Sequence, residues 1–177
     1  REFGDVGVAV NATVSNETAH RLKSRRRSMA GPSGCGLCGI ESIEHMTRDI
    51  LPLQAAMLPS QSALDKALSD MRRRQVVSQS TSGAHGAVWC DMDGDIVSLR
   101  EDVGRHNALD KLIGWQSLKP ADGFVLVSSR ASYEMVAKAA TAHIGVLAAV
   151  SAPTSMAIET AKAANLKLIA FASNGRH

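Results

Sequence analysis

The sequence predicts an α/β fold, a sheet with helices on its faces, and two observations carry that expectation. From His85 onward, short apolar runs alternate with stretches of helical spacing in the order strand, strand, helix, strand, helix, strand, helix, strand. The first two of those strands flank Asp93-Gly94, a strong signal for a tight hairpin turn.

Taken in order, Val6, Val8, Val10, Ala12 and Val14 alternate with small or polar residues, the period of a half-buried strand. The stretch from Ser15 to Ser33 is polar and basic, and GPSGCGLCG, Gly31 to Gly39, packs four glycines and a proline into nine positions. That composition predicts a mobile loop rather than a helix or strand. Beyond it, Leu64, Leu68 and Met71 share one helical face, with Ser60 or Ser62 as cap, so a helix runs up to Arg72, Arg73 and Arg74. A boundary is expected between Gln75 and Thr81. It leaves a partial N-terminal domain over 1–75, with its CxxC loop at about 25–39, and a second domain over 76–177.

In that second domain Ala87 to Cys90 and Ile96 to Arg100 read as the hairpin strands. Ala108, Leu109, Leu112 and Ile113 predict a helix from Arg105 to Trp115, followed by a strand from Phe124 to Ser128. A helix from Ser132 to Ile144 is ended by Gly145, and Val146 to Val150 form the next strand. Pro153 suits the first turn of a helix reaching Ala164, and Lys167 to Phe171 is the last strand. No internal repeat or low-complexity tract is present.

The 177 residues are 45% hydrophobic, 21% charged and 3% aromatic, enough for one generous domain or two small ones. Disorder, collagen and coiled coil are excluded as whole-chain readings. The longest apolar run, Ile144 to Val150, falls far short of the roughly 20 residues a membrane span needs, so a soluble protein is expected. The net charge of +3 by itself points neither to nucleic acid nor to a membrane surface. The basic excess is local: Arg21, Lys23, Arg25, Arg26 and Arg27 form one cluster and Arg72 to Arg74 another. No signal-peptide pattern is present, and the chain opens at Arg1 as a fragment would.

Three cysteines, two of them only three positions apart, fit a reducing compartment and a chemical use better than a disulfide scaffold. Cys35 and Cys38 sit among glycines and downstream of five basic residues, a setting that favours the reactive thiolate. Structural zinc would need two more ligands, and Cys90 is isolated in an apparent strand. A thioredoxin-type motif would follow a strand and open a helix, whereas glycines flank this pair. A thiol on a flexible arm fits a sulfur relay that accepts sulfur as a persulfide and delivers it by swinging.

His85 in TSGAHG and His106 in REDVGRHNALDKLIG are the other marked residues, each weighed against a hydrogen-bonded structural histidine. His106 opens a helix beside Arg105, just after Glu101 and Asp102, where N–H groups can hold an anion or the carboxylates can act as caps. Ser128, Ser129 and Arg130 follow a strand and precede a helix, the position of a ligand crevice in open α/β sheets. A helix cap by Ser129 or Ser132 is the alternative there. Ser151 to Thr154 and Phe171 to Arg176 occupy the same topological position, and three polar turns on one edge argue for a site.

With GPSGCGLCGIES, TSGAHGA, REDVGRHNALDKLIG, VLVSSRASYEMV and AVSAPTSMAIE in one order, the chain closely resembles the FdhD family of formate dehydrogenase accessory sulfurtransferases. The resemblance runs from Ala30 to Arg176. It implies a cytidine deaminase-like three-layer α/β/α C-terminal domain and a smaller N-terminal α+β domain. The first half of that smaller domain and the family's tail after Gly175-Arg176 are expected to be missing.

By the same resemblance the protein is a cytoplasmic sulfur carrier. It takes persulfide sulfur from a cysteine desulfurase and passes it to the molybdenum cofactor, as bis-molybdopterin guanine dinucleotide, before insertion into formate dehydrogenase. Cys35 matches the persulfide cysteine and Cys38 its companion, while Phe171, Ala172, Ser173, Asn174, Gly175 and Arg176 match the cofactor-binding segment. His85, His106, Ser128, Ser129 and Arg130 are further cofactor-binding candidates, GDP is the expected mimic, and a homodimer is implied.

A zinc deaminase needs H-x-E followed by P-C-x-x-C. Here His106-Asn107-Ala108 lacks the Glu, and Ser128-Ser129-Arg130-Ala131 supplies no cysteine, so no zinc is expected. The competing reading is a non-catalytic chaperone that binds the molybdenum cofactor for formate dehydrogenase.

Overall fold

The computed structural model describes residues 2–4, 7–9, 13–23, 50–119 and 122–172. They fall into two compact units, one with the first two strands and the first helix, the other with everything described from Ile50 onward.

In the first unit, strand β1 (Glu2–Gly4) pairs antiparallel with β2 (Gly7–Ala9), Glu2 opposite Ala9 and Gly4 opposite Gly7. The strand expected from Val6 to Val14 is therefore the returning arm of a hairpin, and residues 13–15 are not strand. Helix α1 (Asn16–Lys23) is a second departure, because this polar stretch was expected to be loop. Its cause is local: the Thr18 N–H donates to Ser15 Oγ at 3.2 Å, Glu17 sits in the first turn, and neither Gly nor Pro interrupts the run. The expected loop at about 25–39, with Cys35 and Cys38, lies outside the described residues.

The second unit opens with an irregular segment and then α2 (Gln61–Arg74), capped by Ser60, whose Oγ accepts from the Ala63 N–H at 3.1 Å. A short α3 (Val76–Thr81) follows directly, where a boundary was expected. Glu101 explains it, since its carboxylate accepts from the Val77 and Ser78 N–H groups at 3.1 and 2.9 Å and satisfies the open first turn.

Strand β3 (His85–Cys90) then turns through Asp93-Gly94 into β4 (Ile96–Asp102). After them come α4 (Arg105–Gln116), β5 (Phe124–Val127), α5 (Tyr133–Thr141), β6 (Val146–Ala149), α6 (Ser155–Ala163) and β7 (Lys167–Ile169). The sheet order is β4-β3-β5-β6-β7, with β3 antiparallel to both neighbours and β5, β6 and β7 parallel.

Apolar side chains cover both faces, which is why β5 and β6 read as unbroken hydrophobic runs. Val125, Val127, Leu147 and Ala149 pack with Leu109 and Leu112 of α4, Met135 and Val136 of α5 and Ala157 of α6. Phe124, Leu126, Val146 and Ala148 face the other way, onto Leu64, Leu68 and Met71 of α2. The boundary expected at Gln75 therefore does not part α2 from the sheet, because the apolar face of α2 is buried against it.

Several ends differ from expectation. Helix α5 stops at Thr141, and His143 in the left-handed region (φ 58°) closes it before Gly145. Gly145 has another reason to be small: a Cβ there would lie 2.5 Å from the Cβ of Ala56 in the preceding irregular segment. At α6 the cap is Thr154, whose Oγ1 accepts from the Ala157 N–H at 3.2 Å, and Pro153 stands just outside the helix in a bridge to Ala131.

Candidate functional site

Because β5, β6 and β7 are parallel, their carboxyl ends emerge on one edge of the sheet. The antiparallel β3 and β4 bring His85 and Asp102, which are register partners, to the same edge. The turns leaving the strands are tied together by backbone bonds. Ser128 N–H donates to Gly86 O at 2.9 Å, Val150 N–H to Val127 O at 3.1 Å and Thr154 N–H to Ala131 O at 3.0 Å. Phe171 N–H donates to Ser151 O at 3.3 Å. The three polar turns that the sequence placed at one topological position are thus physically adjacent.

The candidates on this edge divide by what their polar atoms already do. Ser128 Oγ accepts from the Gly86 N–H at 2.8 Å, and the buried Ser129 donates to Arg130 O at 3.1 Å, so neither caps a helix. The Arg130 side chain is exposed. Phe171 is 55% exposed and holds a left-handed backbone (φ 54°), whereas the Ala172 side chain lies in the core beneath α2. Ser173, Asn174, Gly175 and Arg176 lie outside the described residues, as do Cys35 and Cys38.

The two carboxylates of REDVGRH serve the scaffold. Glu101 caps α3, and Asp102 Oδ1 accepts from the Gly104 N–H at 2.9 Å and from Asn107 Nδ2 at 3.2 Å. Lys111 Nζ lies 2.6 Å from Asp102 Oδ2, and that contact, then the Gly104 bond, holds the Asp102 carboxyl below its usual range. Together they fix the first turn of α4, which carries Arg105 and His106.

Burial, and then the Arg105 charge, lower the pKa of both His85 and His106 below the ordinary histidine value. His106 Nε2 lies 3.2 Å from Glu134 Oε2 and 3.5 Å from Ser132 Oγ, both contributed by α5 and its cap. Sequence reasoning singled out His106 and treated Ser132 only as a cap, and it missed Glu134. The available signal was a carboxylate in the first turn of a helix whose residues are mostly apolar and buried. The third cysteine takes no part: burial pushes the Cys90 thiol up to about 12.

This fold and edge define an α/β protein whose polar turns gather at the carboxyl ends of parallel strands. The family model described as FdhD/NarQ matches residues 3–177, and the chain belongs to that family. It is 47% identical over 172 residues to the sulfur carrier protein FdhD of Bordetella bronchiseptica, a match covering 95% of this chain and 62% of that one. Against the sulfur carrier protein FdhD of Acinetobacter baylyi it is 42% identical over 177 residues, covering 98% of this chain and 64% of the relative. The chain thus spans a little under two thirds of the length of these curated relatives. Its fold is similar to the crystal structure of a protein from Desulfotalea psychrophila assigned as a formate dehydrogenase accessory protein. The TM-score there is 0.68 at 27% identity, over 75% of this chain and 58% of that one.

Proposed function

We propose that this chain carries sulfur for the maturation of formate dehydrogenase. The observation behind the reading is its 47% identity, over 95% of its length, to a protein curated as a sulfur carrier. In this reading the Cys35 thiolate attacks the outer sulfur of a cysteine desulfurase persulfide. A new S–S bond forms on Cys35, the desulfurase thiolate leaves, and Cys38 assists the onward transfer. The acceptor substrate is the molybdenum cofactor as bis-molybdopterin guanine dinucleotide, sulfurated before it enters formate dehydrogenase.

The strand-end edge supports the acceptor half of this reading. It offers the exposed Arg130 and the Arg105 guanidinium, charged donors suited to the phosphates of a nucleotide. The segment 171–176 would complete it, with Arg176 toward phosphate or guanine. Helices on both faces of the sheet accord with cytidine deaminase-like layering, but deaminase chemistry is no part of the proposal. Ala108 stands where the proton-shuttling Glu would be, and it is buried in the core. A homodimer working in the cytoplasm completes the reading.

Two experiments test it. Cys35→Ala is expected to abolish formate dehydrogenase activity in cells that depend on this protein, and full activity would leave only a cofactor-binding chaperone. Calorimetry is expected to show GDP binding that weakens in Arg176→Ala, and no heat with GDP would remove the pocket assignment.

A further inference from the structure

Helix α5 begins with a local irregularity. Ser132 has the extended backbone of an N-cap (φ −88°, ψ 164°), yet its hydroxyl accepts no N–H from the first turn. Ser60 and Thr154, in the same position on α2 and α6, both do. The Ser132 hydroxyl instead lies 3.5 Å from His106 Nε2. The second irregularity is Glu134, a carboxylate only 11% exposed that brings Oε2 to 3.2 Å from the same nitrogen. The positive end of α5 stabilises a carboxylate at that place. A cap hydroxyl and a nearly buried carboxylate both turned toward one imidazole mark a site rather than a scaffold.

We infer that Ser132 and Glu134 are positioning residues for His106, and that its imidazole is a polar group the strand-end edge presents to its ligand. This rests on the proposed reading of that edge as the ligand-binding face. A carboxylate beside Nε2 favours the tautomer protonated there and leaves Nδ1 as an acceptor for a ligand N–H or O–H. No hydrogen-bond partner of Nδ1 falls among the described residues. The ring is 24% exposed, so one edge is held and part of it is reachable.

Among the described residues the charged groups facing His106 are few. Arg105 precedes it on α4, and Glu134 and Lys138 face it from α5. Lys138 is engaged by Asp110 of α4 at 2.7 and 2.8 Å, which leaves Glu134 as the carboxylate at the ring. Asp102 holds the α4 first turn in place, so the imidazole cannot drift with its helix.

The test follows imidazole nitrogens and carbons by NMR in the whole chain, with GDP as the probe ligand. In Glu134→Gln the His106 titration midpoint is expected to fall by about one unit, as when a neighbouring opposite charge is removed. Glu134→Asp should restore most of the shift. GDP affinity should drop by about two- to tenfold in Glu134→Gln, the range for one hydrogen bond, and by a similar factor in His106→Ala. An unchanged His106 midpoint in a folded Glu134→Gln protein overturns the positioning role. A moved midpoint with unchanged GDP affinity overturns the ligand role. Wild-type protein that binds no GDP refutes the proposed ligand face and the presentation role with it, while the ligand-free titration still decides whether Glu134 holds the ring.

Discussion

Replacing Leu68 by alanine tests whether α2 is built into the sheet domain. Leu68 is fully buried and belongs to the cluster of Phe124, Leu126 and Val146, so its truncation opens space against β5 and β6 rather than at a domain border. Three carbon groups are lost, at about 0.8 kcal/mol each from transfer alone, and the unfilled cavity raises the cost to about 3–5 kcal/mol. For a chain of this size each kcal/mol moves Tm by about 2–4 °C, so thermal unfolding should begin at least ~6 °C earlier. Circular dichroism, with urea unfolding to fix the free energy, measures it. A loss below about 1 kcal/mol, or a separate early transition confined to helix signal, would refute the packing of α2 as part of one cooperative unit.

Other consequences follow from particular groups. Gly94 adopts φ 85°, and a Cβ there would meet Ala63 O at 2.1 Å, so Gly94→Ala should destabilise by about 2 kcal/mol or more, measured by urea unfolding. Cys90, buried and pushed up to about 12, should resist alkylation in the native protein and react only after denaturation, as mass spectrometry of labelled peptides would show. His85 and His106 titrate lower folded than unfolded, so the unfolded chain binds more protons as pH drops. Stability should therefore be full above the ordinary histidine value and decline as pH falls below about 6.5, with a shallower decline in His106→Gln.

The sheet domain was legible because burial on both faces leaves its strands as short apolar runs and its helices as spaced ones. Phe124 to Val127 and the turn at Asp93-Gly94 needed nothing beyond local pattern. What escaped depends on partners distant in sequence. Helix α3 exists through Glu101, more than twenty residues on, and no property of Val76 to Thr81 announces it. Helix α1 was hidden by its charge, since a polar helix has no apolar stripe to reveal it. At the candidate site His106 stood out by residue type, but Glu134 becomes meaningful only once α4 and α5 are packed side by side. The strand-end turns were placed correctly by topology alone, while the roles of Ser128 and Ser129 as internal ties required their bonds to be seen.

The carrier role of Cys35 is decided by intact-protein mass spectrometry after incubation with a cysteine desulfurase and free cysteine. The wild-type protein should gain one sulfur atom that a thiol reductant removes and that disappears in Cys35→Ala. Folded protein that gains no sulfur, or gains it equally in Cys35→Ala, would contradict it.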